Sequence, residues 1–249
     1  MHPYLLHSGH LLLPTFGVLA AVGLMAALTL SLRTAATVGL NSEAVWNAGL
    51  FTIVSAFLIS RLLLILANLH SFLAYPILLL MVPSLTATGI LLTAIVTVLE
   101  LRRRHLPLLA TLDAWAPCAT LVWGFLALGH FAEGSDAGLP TTLPWGIRIP
   151  PDPIRLHPVA LYAAIAAALI TLALLLQLAR RHHSGDTFAL ALAAAGTTQF
   201  LLTFLRQPSL FNLLLGNLLD PIQWISLGMI LAAGLILLLQ PRKLVSHAV

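Results

Sequence analysis

Seven runs of apolar residues, at 11–32, 45–68, 85–101, 108–131, 158–179, 187–205 and 221–240, constrain this chain more than any other feature. At about 1.5 Å of rise per helical residue, runs of this length cross roughly 30 Å of hydrocarbon. The third is the shortest and crosses only with little tilt. Apolar residues make up 59% of the chain and charged residues 8%. A soluble domain of this size cannot hide that much hydrocarbon, because its surface must be largely polar. The expected fold class is therefore an all-α integral membrane protein with seven transmembrane helices. No repeat, low-complexity tract or linker divides residues 1–249, which are expected to form a single polytopic membrane domain.

Between the second and third runs lies S-F-L-A-Y-P-I-L-L-L-M-V-P-S at 71–84. It is apolar but too short and too marked by proline for an independent span, so a short re-entrant or interfacial segment is expected. The first ten residues lack the basic start and small-residue cleavage site of a removable signal, so the first span is expected to be retained. Cys118 is the only cysteine, which excludes an internal disulfide and a cysteine-based metal cluster.

The formal charge is +4, and 11 of the 12 basic residues are Arg. Most of them sit in short connectors, where they orient helices rather than grip nucleic acid. With the N-terminus outside, the inner connectors hold Arg33, Arg102, Arg103, Arg104, Arg180, Arg181, Arg242 and Lys243. The outer ones hold Arg148, Arg155 and Arg206. Positive charge collects on the cytoplasmic side of membrane proteins, so the expected topology is N-out/C-in. The long loop 132–156 then faces outward.

That loop and its flanks, from Gly129 to Tyr162, form the longest polar stretch, with four Gly, six Pro, three acids, two Arg and two His. Such a segment leaving a bilayer is either a solvated connector or the place where a membrane enzyme keeps its chemistry. His157-Pro158 opens the fifth span, with Pro at a normal helix start. Tyr162 lies roughly 7 Å further in by helix rise. The pair is either structural or a proton shuttle, histidine being the side chain that titrates near neutrality.

Near the end of the sixth span, Gln199, Thr203 and Arg206 recur at helical spacing and form one polar stripe. Such a stripe bonds neighbouring helices, or leads to an Arg that grips a phosphate in a fork and keeps its charge when desolvated. Arg61, roughly 10 Å inside the second span by helix rise, either snorkels to the outer headgroups or binds a lipid phosphate. Asp113, near the start of the fourth span, is expected to pair with Arg102, Arg103 or Arg104. No G-x-S-x-G elbow, Walker loop or metal-spaced set of ligands occurs, so no metal or cofactor is expected.

Five segments stand out: L-D-A-W-A-P (112–117), A-L-G-H-F (127–131), G-S-D-A-G (134–138), P-T-T-L-P-W-G (140–146) and H-P-V-A-L-Y (157–162). Phe16-Gly17, Ser60-Arg61-Leu62, F-L-R-Q-P and Q-W-I-S-L-G-M-I accompany them. Together, and in the same order along the chain, they resemble the bacterial prolipoprotein diacylglyceryl transferase family. The resemblance implies an enzyme that moves diacylglyceryl from phosphatidylglycerol to the lipobox cysteine thiol of a preprolipoprotein and releases glycerol phosphate. It implies the bacterial cytoplasmic (inner) membrane as location. Its partners would be phosphatidylglycerol, the preprolipoprotein signal peptide and the bilayer, with no nucleic acid. Catalytic residues implied are Arg206, His157, Tyr162 and His130. Substrate-binding residues are Arg61, Arg148, Gly129, Gly134, Asp136, Gly138, Gln199 and Thr203.

The chain departs from the family pattern at several polar positions. Ala127 stands for the Arg of a Gly-Arg-x-Gly stretch, Thr88 for a His and Phe16 for a Tyr. His130 stands for an Asn, Ser135 for an acid, Ala160 for a Gln and Ala163 for a Glu. Arg148 and His130 are the nearest replacements for the missing Arg. Two readings follow: a working, divergent transferase, or a catalytically silent paralogue that binds lipid or lipoprotein on the same scaffold. A transporter fits less well, for want of paired broken helices and midplane charges.

Overall fold

The computed structural model describes residues 4–8, 11–75, 86–148, 154–207 and 219–239. The described chain is mainly helical. Its helices are α1 (Thr15–Thr37), α2 (Ser42–Ala67), α3 (Leu69–Ala74), α4 (Ala87–Arg103), α5 (Leu108–Glu133), α6 (Val159–Leu178), α7 (Asp186–Thr203) and α8 (Pro221–Leu239). Two small antiparallel ladders join them: β1 (Tyr4–Ser8) with β2 (Leu11–Pro14), and β3 (Ile147–Arg148) with β4 (Arg155–Leu156).

Each apolar run lies mostly in one long helix. The first run is corrected at its start, since residues 11–14 pair as a strand and the helix begins at Thr15. Pro14 marks the switch: its ring holds φ at −68° with an extended ψ of 132°, and it sits as the N-cap of α1. Five helices are long and apolar enough to cross a membrane, namely α1, α2, α5, α6 and α8. Of the other two long helices, α4 has 17 residues, and α7 carries Asp186, Thr197, Thr198 and Gln199 in its 18. Part of the segment at 71–84 forms α3, directly after α2. Its remainder from 76 onward lies outside the described residues, as do Arg242 and Lys243.

α5 is the central element, packed on α1, α6 and α7. α8 packs on α7, and α2 joins α1 to α4. Apolar surface gives helices in lipid no reason to associate, so close approach and hydrogen bonds must hold them together. Both are present. A Cβ at Gly129 of α5 would lie 2.7 Å from the Phe16 ring of α1, so glycine lets these helices touch. Thr120 and Thr171 hydroxyls bond α5 to α6 at 2.8 Å, and Thr97 donates to Thr52 between α4 and α2 at 3.2 Å. The outer faces carry exposed leucines such as Leu58, Leu91, Leu169 and Leu238, as a hydrocarbon surrounding allows.

One end of the bundle is tied by Asp113, fully buried on α5. Its carboxylate accepts from Arg181 Nη1 at 2.8 Å and from the backbone N–H groups of Gly185 (2.7 Å) and Phe188 (2.9 Å). Arg181 Nη2 also donates to the Val38 carbonyl at 3.1 Å. This corrects the expected pairing of Asp113 with Arg102–Arg104. Arg104 instead bonds Glu100 one turn back, and the partner of Asp113 comes from the α6–α7 turn, where it also satisfies orphan donors at the start of α7.

Candidate active site

At the opposite end of α5 the helix stops at Gly134, whose φ of +76° is the left-handed conformation that closes a helix and that glycine adopts most cheaply. The Gly134 and Ser135 N–H groups return to the His130 carbonyl. The chain then runs straight through a narrow gap. Gly138 N–H donates to the His157 carbonyl at 2.9 Å, Leu139 N–H to the Leu205 carbonyl at 2.8 Å, and Thr141 N–H to the Arg155 carbonyl at 2.8 Å. His157 N–H donates back to Leu139 at 3.0 Å. Residues 138–141 thus run between β4 and the segment that follows α7, with Gly138 paired opposite Arg206. A Cβ on Gly138 would collide with the Leu205 carbonyl oxygen, Val159 and the His157 side chain, so only glycine fits there.

This threading brings Asp136 to Arg206. Arg206 Nη2 donates to Asp136 Oδ2 at 2.9 Å, with both side chains partly buried. They face a cavity of about 370 Å³ lined by Trp123, Ala127, His130, Ser135, Ala163 and Gln199. Two of its polar atoms are buried without a protein partner: the donor Nε of Arg206 and the acceptor Oε1 of Gln199. A buried donor and a buried acceptor left unmade each cost stability, so the cavity asks for an occupant that offers an acceptor and a donor together. A phosphate ester flanked by hydroxyls has that character. Beneath lies a packed cluster of Ala127, Val159, Ala163, Ala164 and Leu202 that fixes the cavity floor.

His130 is held from two sides. Its ring lies 4.8 Å from the Phe16 ring, and Nδ1 is 2.9 Å from Ser135 Oγ. The Ser135 hydroxyl also reaches the His130 carbonyl at 3.4 Å; in the tautomer in which Oγ accepts from Nδ1–H, Nε2 is the basic nitrogen.

His157 and Tyr162 form a separate pair, with Nδ1 3.5 Å from the phenol oxygen. Trp145 Nε1 donates to that same oxygen at 2.8 Å. The other candidates scatter. Thr203 spends its hydroxyl on the Phe200 carbonyl at 2.6 Å, within its own helix. The Arg61 guanidinium stacks 5.5 Å over the Phe72 ring, and the exposed Arg148 pairs with Arg155 in the β3–β4 ladder. Neither lines the cavity. Gly129 serves the α1–α5 crossing, while Gly134 and Gly138 shape the loop. Sequence reasoning missed Trp123, Trp145 and the Asp136–Arg206 pair. Trp145 had a signal, since it stands in the L-P-W-G segment. Trp123 had none, being one more large apolar residue of a span.

These features define a multi-pass helical membrane protein whose charged cavity opens at one end of the bundle. The family model described as prolipoprotein diacylglyceryl transferase matches residues 3–239, and the chain belongs to that family. Three relatives are named phosphatidylglycerol–prolipoprotein diacylglyceryl transferase. The one from Clostridium tetani is 27% identical over 234 residues, covering 91% of this chain and 93% of the relative. The one from Geobacter sulfurreducens is 30% identical over 246 residues, 95% and 92% of the two chains. The one from Bordetella avium is 31% identical over 158 residues, 62% and 60%.

Proposed function

We propose that this chain transfers the diacylglyceryl group of phosphatidylglycerol to the lipobox cysteine thiol of a preprolipoprotein, at the outer face of a bacterial cytoplasmic membrane. The proposed frame is one polytopic domain of seven spans, N-out/C-in, formed by α1, α2, α4, α5, α6, α7 and α8, with loop 132–156 outward. The carrying observation is the partnerless Nε of Arg206, buried in a cavity shared with Gln199 and His130.

In this mechanism the phosphate occupies the fork of Arg206, and its headgroup hydroxyl donates to Gln199 Oε1. The thiol proton passes to His130 Nε2, and the thiolate is the nucleophile. Sulfur attacks the glycerol carbon that bears the phosphate ester. The C–S bond forms as the C–O bond breaks, and the electron pair leaves on the oxygen of glycerol phosphate. Arg206 stabilises the charge that develops there. His157 and Tyr162, tied to Trp145, hold the rim of the loop near the entering signal peptide. Arg61 and Arg148 attract headgroups from outside the cavity.

A second reading has a specific observation behind it. Ala127 and Ala163, which stand where the family pattern has Arg and Glu, both line the cavity, and Asp136 already neutralises Arg206. A site so depleted suits a silent relative that holds a lipid or lipoprotein. Expression in bacteria depleted of their own transferase separates the two. Restored lipidation, read as the mass gain of a reporter lipoprotein, is expected. Membrane-inserted protein with no mass gain would establish the silent reading.

A further inference from the structure

The turn that ends α5 has a second effect besides threading the loop. Gly134 closes the helix at a φ of +76°, and the next N–H, that of Ser135, returns to the His130 carbonyl at 3.1 Å. Ser135 is an exposed residue, but this backbone bond fixes where its side chain starts. Its hydroxyl therefore meets the histidine one turn back, with Oγ 2.9 Å from His130 Nδ1 and 3.4 Å from the His130 carbonyl. The Phe16 ring packs against the same imidazole at 4.8 Å, an approach that Gly129 permits. Asp136, the carboxylate of the cavity wall, is bonded to Arg206, so a hydroxyl and not a carboxylate orients this ring.

A hydroxyl has one proton to give. If it goes to Nδ1, the ring proton sits on Nε2 and the contact of Oγ with the carbonyl is left unmade. If it goes to the carbonyl, Oγ accepts from Nδ1–H, both contacts are hydrogen bonds, and Nε2 carries the free lone pair. The second arrangement makes one bond more. It also survives proton uptake unchanged, because a proton added at Nε2 leaves Nδ1–H on Oγ. In the first, the hydroxyl must turn away before Nδ1 can accept anything.

We propose that Ser135 is a positioning residue: its hydroxyl holds His130 as the Nδ1–H tautomer and so presents Nε2 as the base that takes the thiol proton. The inference rests on the transferase reading for the identity of the proton donor, but not for the state of the ring. In the step, the S–H proton moves to Nε2 and the electron pair stays on sulfur for the attack on carbon. The imidazolium then gives its Nε2 proton to the departing glycerol phosphate and returns to the starting tautomer. Ser135 exchanges no proton with the substrate.

The first test needs no turnover. Nitrogen-15 spectra of the histidines are recorded on the full chain in nanodiscs at about pH 9, well above the ordinary histidine range, with His130→Gln used to identify the His130 signals. The Nδ1–H form is expected in about fivefold excess, the factor that one net hydrogen bond supplies, and the excess should disappear in Ser135→Val. A dominant Nε2–H form in the unsubstituted chain would overturn the proposal, as would a tautomer ratio that Ser135→Val leaves unchanged.

Turnover supplies the second. Thr and Val have the same shape and differ in the hydroxyl, so Ser135→Thr should keep kcat while Ser135→Val lowers it about tenfold, as the ring loses its orientation along with its tautomer. KM for phosphatidylglycerol should stay unchanged in both, since neither substitution touches the phosphate fork. Equal kcat in the Thr and Val variants removes the role of Ser135 and leaves the transferase reading standing. A dominant Nδ1–H form in a chain that transfers nothing does the reverse: the hold of Ser135 on the ring stands and the transferase reading falls.

Discussion

Arg206 meets two partners' demands at once. Asp136 takes one Nη at 2.9 Å, while Nε stays buried and unbonded toward the cavity. Arg206→Ala is therefore expected to cut transfer by at least about a hundredfold, the scale of removing one preorganised donor to developing charge. Arg206→Lys should leave only a remnant, because a point charge cannot reproduce the planar fork. Thermal stability in detergent should barely move, since a partly exposed ion pair contributes about 0–1 kcal/mol. Full activity in Arg206→Ala would refute the mechanism.

Asp136 is expected to behave differently. Asp136→Asn removes the counter-charge, so the anionic headgroup binds better, while the guanidinium loses its fixed orientation. KM and kcat should fall together, a pattern that a merely structural residue does not give. Arg148→Ala should be mild, since Arg148 sits exposed in the ladder and does not line the cavity; a severe loss would mean that it replaces the Arg absent at Ala127.

Elements were legible in this sequence to the extent that they bury or expose long apolar runs. Such runs fix the position of a helix within a few residues, because lipid penalises any other backbone arrangement. What they cannot fix is who faces whom. Asp113 shows the limit: three arginines lie within eleven residues of it, yet its partner is Arg181, brought in by the packing of α6 on α5. The strand pairing of 138–141 was equally hidden, as segments of two or three residues carry no periodicity to read. In the candidate site, Arg206 and Gln199 were visible through their helical spacing. Asp136 entered only as a substrate-binding residue implied by the resemblance, and its pairing with Arg206 follows from the way Gly138 threads the loop against residue 206.

Both element-level features can be tested. Asp113→Ala leaves the Arg181 charge and two backbone donors without their acceptor. Unfolding stability should drop by about 3–5 kcal/mol, the cost of breaking a buried pair from one side. A thermal midpoint in detergent equal to that of the unsubstituted chain would show that the tie is dispensable. Gly138→Ala should act on the site and not on the bundle. The added Cβ meets the Leu205 backbone, which has no rotamer to escape by, so the loop carrying Asp136 must move. Transfer should fall toward the hundredfold that a misplacement of about 1 Å can cost, with membrane insertion unchanged.

At the scale of the whole molecule, α5 acts as a ruler. The residues from Asp113 to Glu133 rise roughly 30 Å, about the thickness of the hydrocarbon layer. At one end of that length the α1–α2 turn, the start of α5 and the α6–α7 turn are tied through Val38, Asp113 and Arg181. At the other, the loop after α5, the start of α6 and the end of α7 are tied through Asp136, His157 and Arg206. The basic residues divide along the same line. Arg33, Arg102, Arg103, Arg104, Arg180 and Arg181 belong to connectors at the Asp113 end, and Arg148, Arg155 and Arg206 belong to the cavity end. The excess of Arg at the Asp113 end supports the proposed N-out/C-in orientation, in which that end lies in the cytoplasm and the cavity outside, where a secreted thiol can reach it. A reporter active only outside the membrane should be active when inserted near Ala137 and silent when fused after Val249. The reverse pattern would turn the cavity toward the cytoplasm, and a site facing there could not serve a substrate delivered by secretion.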